Sequence, residues 1–181
     1  MSDVNLDEDL TRLKVLCPPP SRPEPVREVQ REPGAQDIPV SHRALITTYG
    51  IGCFDEFLWI FAQGAPNVHL DIAERTHQMR STFQGKALRE LSHVLDEYLA
   101  GPDDLIQWGA TDSADVLAWI ARGSPDAWPT VIIQAGQLKA VVSVGSSTST
   151  VLDLLRGSLR IPFFPDDFPD RRPEFSANPY A

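Results

Sequence analysis

LIQWGATDSADVLAWIARGSPDAWPTVIIQAGQLKAVVSV, residues 105–144, is the stretch whose reading decides the fold. It contains four short apolar runs rich in β-branched and aromatic residues: Leu105–Trp108, Val116–Ala121, Thr130–Gln134 and Leu138–Val144. Turn-forming residues separate them, namely Asp112-Ser113, Gly123-Ser124-Pro125 and Ala135-Gly136. Runs of this length and composition, punctuated this way, predict a meander of antiparallel strands. Gly136 between two β-branched runs marks a tight hairpin. Trp108 and Trp119 fall on successive strands, where they are expected to stack across the sheet as core residues.

Upstream, the pattern changes period. Leu6, Leu10, Leu13 and Leu16 make one helical stripe, which Pro18-Pro19-Pro20 ends. Ser21 to Asp37 reads as a linker. Pro39 suits the first turn of a second helix whose buried edge is Leu45, Ile46 and Tyr49, and Gly50 stops it. Phe57–Phe61 predicts a further strand. Asp71–Leu99 carries the longest helical pattern, which Gly85 is expected to bend or split. Downstream, Ser146–Arg156 predicts a last helix, capped by Ser or Thr and ended by Gly157. Strands clustered in sequence with helices before and after predict a single α+β domain. Its sheet should be mainly antiparallel, with one face covered by the long helix and the last one.

The chain has 181 residues and a formal charge of −9, from 16 Lys plus Arg against 25 Asp plus Glu. Such a balance argues against nucleic acid, whose binding depends on Lys and Arg replacing counterions, and against anionic membranes. Cys17 and Cys53 are too few for a disulfide framework and read as free thiols of a reducing compartment. Met1–Asn5 lacks the start of a signal peptide, so a cytoplasmic location is expected.

A search for chemistry returns little. His42, His69, His77 and His93 show no metal-ligand spacing and read as surface or helix-packing residues. Cys53 lacks a histidine motif, and Gly50-Ile51-Gly52 is too short to cradle phosphate. Gly145–Thr150 is hydroxyl-rich, as helix capping requires. The expectation is no catalysis, no cofactor and no metal. Acid concentrates between Leu95 and Pro129, where Asp96, Glu97, Asp103, Asp104, Asp112, Asp115 and Asp126 face the single cation Arg122. Asp103, Asp104, Asp112, Asp115 and Asp126 are therefore the candidate contacts for a basic partner, as an acidic rim.

Four stretches in order carry a resemblance. They are Ile38-Pro39 leading to Tyr49-Gly50-Ile51-Gly52-Cys53-Phe54 and Phe57–Ile60; Trp108-Gly109-Ala110-Thr111-Asp112 followed by Asp115–Trp119; Pro125–Ile133 with Trp128-Pro129; and Phe164–Pro169. Together they resemble the SUKH superfamily, which groups bacterial immunity proteins with a yeast cell-wall-synthesis regulator. The sequence departs from that pattern at Ile38, which stands for a leucine, at Ser113-Ala114, which lacks a glycine, and in the strand after Gly136. The resemblance implies an N-terminal helix and Pro-rich linker over residues 1–37, a SUKH-like domain over 38–169 and a tail over 170–181. It makes Tyr49, Gly50, Gly52, Trp108, Gly109, Trp119, Trp128 and Pro129 structural motif residues. It also implies a monomeric immunity protein that neutralises a toxin, such as a nuclease, by direct binding. The alternative is a cytoplasmic scaffold or regulator of the same fold, with the proline-rich ends as docking peptides.

Overall fold

A computed structural model describes residues 3–23, 26, 37–136 and 139–177. Among the described residues, five α-helices and a seven-stranded sheet form one α+β domain. The helices are α1 (Asp3–Leu16), α2 (Val40–Tyr49), α3 (Ile72–Phe83), α4 (Arg89–Asp96) and α5 (Ser147–Arg156). The strands are β1 (Gly52–Phe54), β2 (Leu58–Ile60), β3 (Leu105–Thr111), β4 (Val116–Ile120), β5 (Thr130–Ile133), β6 (Ala140–Ser143) and β7 (Phe175–Ala177). Strands β6 to β1 lie side by side in reverse sequence order and β7 closes the far edge on β1, with every neighbouring pair antiparallel.

The meander forms where the 105–144 stretch predicts it, and β3 extends beyond Trp108 to Thr111. Leu138 lies outside the described residues. The register of β3 on β4 slips between Gln107 and Gly109, so Trp108 occupies a bulge. Ile106 pairs with Trp119, and Trp108, two residues along β3, shares that face, so the two buried indoles stack with centroids 6.1 Å apart at 29°. Gly109 beside them is required by space, because a Cβ there would stand 2.8 Å from the Trp59 carbonyl oxygen on β2.

Both faces of the sheet are covered, where one was expected. Met79, Phe83, Leu91 and Leu95 of α3 and α4 pack on Leu105, Ala118, Ile120, Val131 and Ile133. On the opposite face, Leu13, Leu45, Tyr49, Val151 and Leu155 of α1, α2 and α5 enclose Ile106, Trp108, Leu117, Trp119 and Ile132. The division follows the period-2 alternation of β4, in which Leu117 and Trp119 point one way and Ala118 and Ile120 the other. The 71–99 segment splits at Gly85, whose φ of +76° is left-handed and incompatible with a continuing helix.

Two short strands escape the sequence pattern. Gly52 lies inside β1, paired with Ile60 on one side and Ala177 on the other. Its lack of a side chain serves close packing, since a Cβ would fall 2.1 Å from the Ser176 carbonyl oxygen. The turn residue is Gly50, with φ 79° and ψ −165°, a region open essentially to glycine alone. The sheet also runs past residue 169 into the segment expected to be a tail, because Phe175–Ala177 is β7. Phe164 and Phe168 pack back on Phe57 at 5.2 and 4.7 Å, and Tyr49 donates to the Cys17 carbonyl at 2.6 Å, fixing the end of α1.

Candidate partner-binding surface

The five candidate carboxylates do not form one rim. Consecutive turns of a meander lie at alternate ends of the sheet, and the seven residues of β3 separate Asp103-Asp104 from Asp112 by roughly 20 Å. Asp103, Asp104 and Asp126 are at the end where β3 starts, while Asp112 and Asp115 are at the other.

Three of the five have structural duties. Asp115 is 3% exposed. It accepts from the Thr111 hydroxyl at 2.9 Å and from the Ala135 amide at 2.9 Å, so it ties the β3–β4 turn to the β5–β6 hairpin. A carboxylate held in this way cannot meet a partner, and Asp115 leaves the candidate set. Replacing it with alanine strands the Thr111 hydroxyl and the Ala135 amide, and is expected to cost about 2 kcal/mol in urea unfolding. Asp104 accepts from the Gly101 amide at 2.8 Å and stands 3.7 Å from Arg122, an exposed pair that contributes little. Asp126 accepts from the Val40 amide at 2.8 Å, placing a negative charge at the start of α2, where the helix dipole favours one. Asp103 and Asp112 are exposed.

Asp112 has acidic company that comes from a distant part of the sequence. Asp55 and Glu56 lie in the three-residue β1–β2 turn, residues 55–57, as the central residues of a turn closed by the Phe57 amide on the Phe54 carbonyl, with φ 51° and 53°, both left-handed. The Asp112 amide donates to the Phe57 carbonyl at 2.8 Å, which seats the β3–β4 turn against that hairpin. The Asp55 carboxylate is occupied, accepting from the Asp170 amide at 3.0 Å and the Glu174 amide at 2.9 Å. It holds the chain that leads into β7. Glu56 and Asp112 are exposed on this doubly anchored end of the sheet. The contact of Asp112 with the Phe57 carbonyl is a long-range pairing, invisible to composition in any one window.

Of the remaining chemistry-bearing residues, Cys17, Cys53 and His42 are buried within the fold. Cys17 and Cys53 are free and buried, and burial, with carboxylates nearby, pushes their thiols up to about 12 and about 11. Protonated thiols of this kind are poor nucleophiles. His69, His77 and His93 are exposed. Of the two expected roles, surface or helix-packing, His42 takes the second, being fully buried between Trp108 and Trp119, which it meets edge-on at 5.6 and 4.9 Å. One ring nitrogen lies 2.7 Å from the Phe61 carbonyl, so Nε2 carries the proton, and Nδ1 accepts from the Ser147 hydroxyl at 3.0 Å. Ser147 is itself 0% exposed, so this serine–histidine contact joins α2 to α5 with no opening to a substrate.

A crevice of about 220 Å³ lies beneath the C-terminal segment, with Leu154, Leu159, Ile161, Phe164 and Phe168 among its walls. It is smaller than the usual small-molecule pocket of about 300–1,000 Å³. Among the described residues, no group of three or more His, Cys, Asp or Glu is placed to hold a metal ion, and no helix is long and apolar enough to cross a membrane. No family model matches the chain, and no curated protein or solved structure matches it.

Proposed function

We propose that this chain is a non-catalytic binding protein for a basic protein domain, acting as an immunity protein against a toxin such as a nuclease. The observation that carries the reading is the exposed pair Glu56 and Asp112 at one end of the sheet, on turns fixed by backbone hydrogen bonds. Carboxylates on a rigid platform attract a basic surface at long range and lose little conformational freedom when it docks. A nuclease groove, built to receive phosphate, is a surface of that kind. The SUKH-like order of motifs around Tyr49, Trp108 and Trp128 supports the same assignment.

The test is capture from lysate of the host on the purified chain, followed by mass spectrometry and co-expression of the captured domain. One basic toxin domain is expected, whose toxicity the chain abolishes. Its association rate should fall about ten-fold on Asp112→Lys and fall further with added salt. Capture that ignores both salt and Asp112→Lys removes this end of the sheet as the contact. Recovery of housekeeping proteins without a toxin replaces immunity with the scaffold reading.

A further inference from the structure

The chain between α5 and β7 crosses one end of the core and leaves the crevice of about 220 Å³ open to the surface. Pro162, Pro165 and Pro169 in its walls keep this chain out of helix, so it runs as separate turns with a gap beneath them. Leu154 of α5, Leu159 and the rings of Phe164 and Phe168 make the gap apolar. Phe168 packs on Phe57 at 4.7 Å, and the Phe57 carbonyl receives the Asp112 amide. The crevice therefore adjoins the end of the sheet that carries Glu56 and Asp112.

Size, lining and charge define the occupant. The volume lies below that of the usual small-molecule pocket and suits a single side chain. The cation Arg160 stands in the wall, its guanidinium tied by Nη1 to the Phe168 carbonyl at 3.1 Å. A fixed guanidinium opposes a second cation and attracts the face of an aromatic ring, and the rings of Phe164 and Phe168 favour an aromatic neighbour too. The exposed surroundings have the opposite sign. Asp166 at the crevice, with Asp167, Asp170, Glu56 and Asp112, outnumbers Arg160, Arg171 and Arg172. A ring that enters here is therefore favoured when the surface around it is basic.

We infer that the crevice receives one aromatic side chain, projecting from the basic domain that docks on Glu56 and Asp112. The inference rests on the basic-partner reading above and gives that contact its anchor. Carboxylates steer the approach, and a ring buried beside them holds the complex.

Titration of the isotope-labelled full chain with three capped peptides, Lys-Trp-Lys, Lys-Ala-Lys and Glu-Trp-Glu, separates ring from charge. Lys-Trp-Lys should shift the amide resonances of Leu159, Ile161 and Phe164 and bind about ten-fold tighter than either of the others. Leu159→Trp fills the crevice and should abolish those shifts. Asp166→Lys changes an exposed side chain, so it should keep the far-UV spectrum and lower the preference for Lys-Trp-Lys over Glu-Trp-Glu. Absence of shifts at these amides, or equal binding of Lys-Trp-Lys and Lys-Ala-Lys, overturns the inference. The peptides carry no toxin sequence, so ring binding together with failed toxin capture overturns immunity alone. Capture of a toxin domain whose affinity ignores Leu159→Trp overturns the anchor alone.

Discussion

Trp119→Ala is expected to lower the unfolding free energy by about 4 kcal/mol, within the range for truncating a buried large aromatic. Trp119 is fully buried and its ring meets three others: Trp108 at 6.1 Å, His42 at 4.9 Å and Trp128 at 6.2 Å. It stands on a central strand between Ile106 and Thr130, where the sheet cannot collapse to fill the space. The indole nitrogen adds a second expectation. Among the described residues, neither the Trp119 nor the Trp108 Nε1 has a hydrogen-bond partner, and an unpaired buried donor costs about 1–3 kcal/mol. Trp119→Phe removes that donor along with part of the ring. It should therefore cost well under half as much as Trp119→Ala. Urea denaturation of the two variants checks both values, and equal losses would show that the N–H is satisfied.

Acid should destabilise the protein through His42 by about 3 kcal/mol at the limit. Burial lowers its pKa from 6.5 to about 4, although the hydrogen bond to the Phe61 carbonyl acts the other way. The groups that meet the ring are the Ser147 hydroxyl, the Phe61 carbonyl and the Trp108 and Trp119 rings, all uncharged. Above pH 6.5 His42 is neutral in both folded and unfolded chains and contributes no pH dependence. As pH falls below 6.5 the unfolded chain binds a proton that the folded chain refuses, so stability drops until His42 protonates in the fold near pH 4. At pH 5 the loss should be about 2 kcal/mol, while most carboxylates are still ionised. His42→Gln keeps a donor and an acceptor without the titration. Its stability should be nearly flat between pH 6.5 and 5, and a parallel fall in both proteins would assign the effect to other groups.

The meander was legible because each of its strands is bounded by turn residues and alternates two buried faces. Trp108 and Trp119 were placed correctly from strand position alone. β1 and β7 were not legible, because Gly52-Cys53-Phe54 and Phe175-Ser176-Ala177 are too short for a period and are held by pairing with each other and with β2. The split of the 71–99 pattern was legible at Gly85, although Met79, Phe83, Leu91 and Leu95 on its two sides all face one core. A left-handed Gly85 interrupts the backbone without moving that apolar face. Asp115 resembled its exposed neighbours in composition, and only the turn geometry aims it inward at Thr111 and Ala135. Likewise, nothing about the sequence around His42 distinguishes a surface histidine from one that meets Ser147, 105 positions away.

The placement of β7 bears on how the chain behaves during synthesis. β7 follows every other described element, yet its partner β1 begins at Gly52. A ribosome releases the chain from its N-terminal end, so the β1–β6 meander and its helices can assemble while the segment that completes the sheet is still being made. During that interval Cys53 and Phe54 present a bare strand edge, a template for association with neighbouring nascent chains. The Asp55 carboxylate, waiting to accept the amides of Asp170 and Glu174, makes the β1–β2 turn the latch on which the final segment closes.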